Sequence, residues 1–299
     1  MKVILNPAAG KGYGAKAEPK IRQYLKEEGL EFDLVKTERP WHAKELAEQA
    51  VREGFELVVA AGGDGTFHEV VNGLMAASGG EEAGILGMIP MGSGSDFANT
   101  VGVPLDLKKA CQRLTQGKSW LVDVGRIILD WQTIRYFDNT VNVGFGGVVT
   151  IEARKIKRLR GIALYLPAVL KTVFLYYKAP LVDIEYDDKK LSLPAVMICV
   201  CNGQREGGGF YVTPDAKPDD GLFDLCITRE ISRLSMLAHI PRFMKGTHVN
   251  SKAVTMARAK HVFISSQDDL VAHADGEILC TESHRIELEI LPKRLRVRS

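Results

Sequence analysis

Gly62-Gly63-Asp64-Gly65-Thr66 sets three glycines around one carboxylate and one hydroxyl, directly after the apolar run Leu57-Val58-Val59-Ala60-Ala61. Glycine lets a backbone pass close to a ligand, and the N–H groups that open a following helix attract an anion such as phosphate. Asp64 does not fit that picture alone, because a carboxylate repels phosphate unless a cation or a donor hydroxyl sits between them. The turn therefore reads as a nucleotide site that works with a divalent metal. Thr66 also admits a plainer reading, since Thr66-x-x-Glu69 is a capping-box pattern that would only start a helix. Two other loops share the small-residue character, Asn6-Pro7-Ala8-Ala9-Gly10-Lys11-Gly12-Tyr13-Gly14 and Pro90-Met91-Gly92-Ser93-Gly94-Ser95-Asp96. The first is neither a Walker A loop nor a dinucleotide fingerprint, because its lysine and its last glycine are wrongly spaced.

These turns need strands before them and helices after them. Val3 to Leu5, Phe32 to Val35, Phe55 to Ala61 and Ile85 to Ile89 read as short apolar strands. Apolar residues recur at helical spacing near Ala17, Ile21 and Leu25, from Trp41 to Glu53, and at Phe67, Val70, Val71, Leu74 and Met75. Four β-α repeats predict a parallel sheet covered by helices, with ligands held beyond the carboxyl ends of its strands. All three glycine-rich turns follow strands and are expected to converge.

A helix over Leu107 to Leu114 closes this part, and from Trp120 the chain turns strand-like. Arg285 to Ile290 and Arg294 to Arg298 alternate apolar and polar residues, as half-buried antiparallel strands do. Asp187-Asp188 and Asp275-Gly276 read as hairpin turns. The expected organisation is an α/β nucleotide-binding domain over 1–126 and an all-β domain over 127–299. Helical insertions are predicted near 151–177 and 231–246, and a return of the last strand to the first domain is left open.

The 299 residues are 45% hydrophobic and 25% charged, enough to build a core. Lysine and arginine total 39 against 37 acids, so the net charge of +2 gives no overall field for nucleic acid. Five cysteines without framework spacing, no leading signal segment and no apolar run of membrane-spanning length make the cytoplasm the expected compartment. Cys199 and Cys201 fall on one face of an apolar strand and are read as core, and the seven histidines have no metal-ligand spacing.

Taken together, Asn6-Pro7-x-x-Gly10-x-Gly12, Gly62-Gly63-Asp64-Gly65-Thr66, Pro90-x-Gly92-Ser93-Gly94-Ser95-Asp96-Phe97-Ala98, the Pro214 to Asp224 stretch and Asp275-Gly276-Glu277 resemble the diacylglycerol kinase catalytic-domain family. The family includes sphingosine and ceramide kinases and bacterial soluble lipid kinases, and the resemblance spans most of the chain. It implies an NAD kinase or phosphofructokinase-like α/β domain, a C-terminal β-sandwich, an ATP site in the cleft between them, and phosphorylation of a lipid hydroxyl. One departure stands out: the third motif commonly reads Gly-Thr-x-Asn-Asp, and here Ser95 replaces the amide.

What the resemblance implies residue by residue is as follows. Asn6, Thr37, Gly62, Gly63, Asp64, Gly65, Thr66, Phe67, His68 and Ser93 hold the nucleotide. Asp64, Asp96 and Asp123 form an aspartate-water-magnesium network, and Lys217, Asp220 and Leu222 hold a second, structural Mg²⁺ through hard oxygen donors. Asp275 or Glu277 takes the proton of the acceptor hydroxyl, with the choice between them open.

Ile151 to Lys178 carries seven bases against one acid, a net of +6, followed by the apolar Gly161 to Leu170. That pattern suits either a core helix with a solvated basic end or peripheral contact with an anionic membrane through the Arg154–Arg160 region. A lipid substrate favours the membrane. The expected protein is a cytoplasmic, membrane-visiting kinase acting on diacylglycerol, with a homodimer left open. An NAD kinase and a non-catalytic nucleotide- or lipid-binding regulator are the alternatives.

Overall fold

The computed structural model describes residues 1–79, 82–92, 94–131, 133–156, 159 and 162–299. The chain divides into two compact units, Met1–Val124 with Pro292–Ser299, and Gly125–Leu291.

In the first unit β1 (Lys2–Leu5), α1 (Ala9–Glu27), β2 (Asp33–Lys36), α2 (His42–Arg52), β3 (Leu57–Gly62), α3 (Asp64–Ala77) and β4 (Ala83–Pro90) alternate strand and helix. They are followed by α4 (Asp96–Thr100), α5 (Leu107–Gln116) and the start of β5 (Ser119–Leu129). β1 pairs in parallel with β2 and β3, and β3 in parallel with β4. Leu295 to Val297, from the last strand of the chain, add one more parallel neighbour to β4. Successive strand residues point to opposite faces. Val3, Leu5, Val59, Ala61 and Ile89 pack with α1 and α5 around Ala17, Ile21, Leu25, Cys111 and Leu114. Because the strands are covered on both faces they read as continuous apolar runs.

The second unit contains β6 (Thr133–Phe137), β7 (Thr140–Gly144), α6 (Phe145–Arg154), α7 (Ile162–Leu175), β8 (Leu181–Tyr186), β9 (Lys189–Cys201) and β10 (Phe223–Arg229). It continues through α8 (Arg233–Lys245), β11 (Val254–Ala259), β12 (His261–Ala274) and the first part of β13 (Glu277–Arg298). Its pairings are antiparallel. β9 pairs with β8 over its first half and with β7 and β10 over its second. β12 likewise serves β8 with Val262 to Ser266 and β7 with Ala272 to Ala274. Strands that change partner in this way turn the corners of a sandwich. Val141, Ile184, Val200, Leu225, Ile264 and Leu288 lie in its core. Cys199, Cys201 and Cys226 pack on another face with Met197, Val212 and Phe243, in keeping with a core role.

No described helix is long and apolar enough to cross a membrane.

Candidate active site

The three glycine-rich turns meet at one edge of the parallel sheet. Asn6, which follows β1, donates its Nδ2–H to the Thr66 hydroxyl at 3.0 Å, and its backbone N–H to the Ala61 carbonyl at 2.9 Å. The turns after β3 and β4 touch backbone to backbone. A Cβ placed on Gly92 would lie 2.6 Å from the Gly63 Cα, closer than carbon atoms can pack. Gly10 has φ of +55°, and a Cβ there would lie 2.5 Å from the Met91 carbonyl oxygen. Glycine is thus required by contact between turns as well as by turn conformation. Thr37 follows β2 at this edge, its N–H bonded to the Leu5 carbonyl at 2.9 Å.

Asp64 is the clamp between two of these turns. Its carboxylate accepts the backbone N–H groups of Ser95 at 2.7 Å and Asp96 at 2.8 Å. Ser95 is left-handed, with φ of 54°. Asparagine tolerates that conformation better than serine does, so the exchange for Ser95 places a less suited residue at this turn. The bond to Asp64 uses the backbone N–H and so survives the exchange.

Thr66 lies inside α3, whose N-cap is Gly63 without a side-chain cap. Its hydroxyl faces Asn6 and Glu69 accepts the Ala43 N–H at 3.1 Å, so the capping-box reading is not realised. Phe67 and His68 have no exposed surface. Their side chains therefore support the turn from beneath, with His68 edge-on to Trp41 at 5.7 Å, and do not line a ligand site in this structure. Ser93 lies outside the described residues.

The three aspartates are not equivalent. Asp64 and Asp96 open α3 and α4, whereas Asp123 sits within β5, fully buried, rather than at a strand end. Asp123 accepts the Lys293 N–H at 2.8 Å, and Lys293 has a positive φ of 54°, so this carboxylate fixes a kink in the returning strand. Among the described residues no three His, Cys, Asp or Glu side chains form a ready metal cage. Magnesium usually keeps several waters and takes one or two carboxylates plus substrate phosphates. Asp64 and Asp96, oxygen donors on touching turns, fit that kind of site.

The second implied metal position fits less well. Asp220 accepts the Leu222 N–H at 3.3 Å and pairs with the Arg258 guanidinium, whose Nε lies 3.5 Å from Asp224. Burial pushes the Asp224 carboxyl up, and Arg258 opposes the shift. A guanidinium already supplies the positive charge beside Asp220, so a cation held with Lys217 and Leu222 would have to share the carboxylate with it.

In the second unit Asp275 and Gly276 form the tight turn between β12 and β13, both with positive φ. The Asp275 carboxylate accepts three backbone N–H groups, from Asp138 and Asn139 at 3.1 Å and Thr140 at 2.8 Å. Glu277 is more open and pairs with Arg154 at 2.6 Å. Arg154 also donates to the Gly276 carbonyl. The pair that sequence left equivalent therefore divides: Asp275 is 7% exposed and committed to the backbone, while Glu277 projects toward solvent beside a guanidinium.

The basic segment is also partly committed. Lys155 and Lys171 both pair with the buried Glu152, at 2.5 and 2.7 Å. Lys157, Arg158 and Arg160 lie outside the described residues. Beside the exposed Lys171, α7 presents large apolar side chains to solvent, namely Leu170, Phe174 and Leu175. A cavity of about 400 Å³ in the same unit is lined by Phe145, Val148, Tyr176, Lys178 and Leu270 among others, and by none of the carboxylates discussed above.

An α/β unit with phosphate-type turns at its strand ends, joined in one chain to a β-sandwich, is the architecture of a two-domain kinase. Residues 1–127 match the diacylglycerol kinase catalytic domain, and residues 139–299 match the YegS C-terminal NAD kinase beta sandwich-like domain. The chain belongs to the diacylglycerol kinase family. It is 32% identical over 290 residues to a diacylglycerol kinase of Staphylococcus epidermidis, covering 92% of this chain and 85% of that one. It is 30% identical over 290 residues to a diacylglycerol kinase of Staphylococcus saprophyticus, covering 92% and 88%. Among solved structures it is similar to a diacylglycerol kinase from Bacillus anthracis, with a TM-score of 0.75, 22% identity and coverage of 99% and 95%. An NAD kinase from Archaeoglobus fulgidus, in complex with ATP, shares the fold at a TM-score of 0.53 and 14% identity, with coverage of 100% and 93%.

Sequence reasoning missed the buried Asn142 and His273 and the half-buried Glu206, which lie beside the Asp275 turn. The signal available was a polar residue at a core position of an apolar strand, as in Thr140-Val141-Asn142-Val143.

Proposed function

We propose that this kinase transfers the γ-phosphate of ATP to the hydroxyl of a membrane lipid, diacylglycerol first among them, giving phosphatidic acid and ADP. The observation that carries the reading is the convergence of three glycine turns at the strand ends of a parallel sheet, with Asp64 bridging two of them, in a chain of this family.

Phosphoryl transfer asks the protein mainly for position and charge. Asn6, Thr37 and the backbone of Gly62 to Thr66 orient the phosphates, with the N-terminal dipole of α3 favouring negative charge. Asp64 and Asp96 would hold Mg²⁺, which when bound offsets the charge building on the β- and γ-phosphates. The acceptor oxygen forms the new P–O bond as the bond to the β-phosphate bridge breaks. Glu277 accepts the hydroxyl proton. Asp275 is unsuited to that step, because protonation would cost it backbone bonds that hold the neighbouring turn. Arg154, bonded to both Glu277 and the Gly276 carbonyl, keeps the Glu277 carboxylate aimed. Peripheral contact with the lipid surface is proposed for the exposed apolar side chains of α7 together with the Arg154–Arg160 region.

Labelled ATP supplied with diacylglycerol in mixed micelles, and in parallel with NAD, tests the reading. Label is expected in phosphatidic acid and not in NADP. Transfer to NAD alone, or to neither acceptor in a panel extended to sphingoid bases and polyprenols, would overturn it.

A further inference from the structure

Beneath the Asp275-Gly276-Glu277 turn lies a chain of polar contacts that the reaction as described does not use. Asn142 on β7 and His273 on β12 are cross-strand partners, 0% and 4% exposed. Asn142 donates its Nδ2–H to Glu206 Oε1 at 2.7 Å. The other Glu206 oxygen lies 3.6 Å from His273 Nε2. On the far side of the ring, His273 Nδ1 accepts the backbone N–H of Gly276 at 3.2 Å. Glu206 itself is fixed by a tight glycine hairpin, its N–H and carbonyl exchanging bonds with Phe210 at 2.9 and 3.0 Å across Gly207-Gly208-Gly209. The Asn142 amide occupies the space a side chain at position 146 would need, since a Cβ on Gly146 would lie 2.2 Å from it.

The order of donors and acceptors fixes the state of the ring. Accepting from Gly276 leaves Nδ1 without a proton, so the single proton of a neutral imidazole is on Nε2, facing Glu206. The anionic carboxylate favours that tautomer, and the tautomer in turn favours the Gly276 bond. Gly276 is the peptide that joins Asp275 to Glu277. Resting on the reading of Glu277 as the proton acceptor, we propose that Glu206 is a positioning residue: through His273 it holds the Gly276 peptide and so sets the direction in which Glu277 is presented.

Burial raises the Glu206 carboxyl to about 7, with the Asn142 bond opposing the shift, and burial lowers His273 to about 4, with Asp275 opposing and Arg154 adding to it. Other titratable groups on this face are the thiols of Cys199 and Cys226, which burial pushes up and so keeps neutral. The charge on Glu206 therefore changes across the neutral range while the ring stays neutral. A carboxyl raised on folding binds its proton more tightly in the native state, so its ionisation between the unfolded value and about 7 lowers stability as pH rises. Glutamine, which cannot ionise, escapes that cost. A residue kept for stability alone would show the opposite.

Glu206→Gln is the test, read in two ways. Gly276 labelled with ¹⁵N should show an amide resonance that titrates near pH 7 in the wild type and is flat in the variant; a flat wild-type signal, or the same titration in both, would overturn the proposal. In the lipid assay at pH 8 the variant should lose roughly tenfold to a hundredfold in kcat with KM for ATP unchanged. Its pH profile should lack the wild-type inflection near 7, and its thermal midpoint at pH 8 should be no lower than that of the wild type. A fall in midpoint with kcat intact would assign Glu206 a structural role and overturn the proposal. If the wild type phosphorylates no lipid, the proposed function fails, and the Gly276 titration still decides the role of Glu206.

Discussion

Asp275→Ala is expected to cost the protein about 3 to 5 kcal/mol of folding stability, from three buried N–H groups losing a charged acceptor at about 1 to 3 kcal/mol each, with partial relaxation. The side chain is only 7% exposed, so water does not easily replace it. For a unit of this size that corresponds to a thermal midpoint lowered by about 10 °C. Asp275→Asn keeps one accepting oxygen but turns an NH₂ group toward N–H donors, and should recover only part of the loss. Differential scanning calorimetry of both variants, beside Glu277→Gln as a control with an open side chain, measures this. Midpoints within 2 °C of wild type for Asp275→Ala would mean that the three backbone bonds contribute little. Glu277→Gln is expected to keep the midpoint and lose turnover, so the two carboxylates separate by which property each controls.

Asp64→Ala is expected to reduce phosphoryl transfer by roughly a thousandfold, in the range that follows loss of a preorganised electrostatic group. Two losses combine. The N–H groups of Ser95 and Asp96 lose their acceptor, so the turn after β4 is no longer tied to the turn after β3. The carboxylate that would hold Mg²⁺ goes with it. Asp64→Asn separates these contributions, because an amide oxygen can still accept one N–H while carrying no charge for the metal. The asparagine variant should stay folded by circular dichroism and still lose most of its turnover with Mg·ATP. Wild-type turnover in either variant would remove Asp64 from the site.

The β-α alternation was legible because apolar runs and helical spacing are local properties, and the antiparallel pairing of β13 with β12 left its mark as alternation in Arg285 to Ile290. Convergence of the turns followed from strand ends alone. The jobs of individual carboxylates were not legible, because each is decided by a backbone N–H or a guanidinium far away in sequence. Asp123 meets Lys293 across 170 residues and Asp275 meets Thr140 across 135. Sequence gives a carboxylate's place on its own strand but not the φ of the distant residue it anchors. In the same way, nothing around Asp220 announces that Arg258 on β11 supplies its counter-charge. Phe67 and His68 carried a motif's neighbourhood into the core, where burial decides what they touch.

Hydrogen exchange read by mass spectrometry, with and without Mg²⁺ and a non-hydrolysable ATP analogue, tests most directly whether the three turns form one nucleotide site. Protection is expected to rise together in peptides covering 6–14, 62–68 and 91–96, and to be lost together in Asp64→Ala. Protection confined to one turn, or found only elsewhere in the chain, would contradict the account.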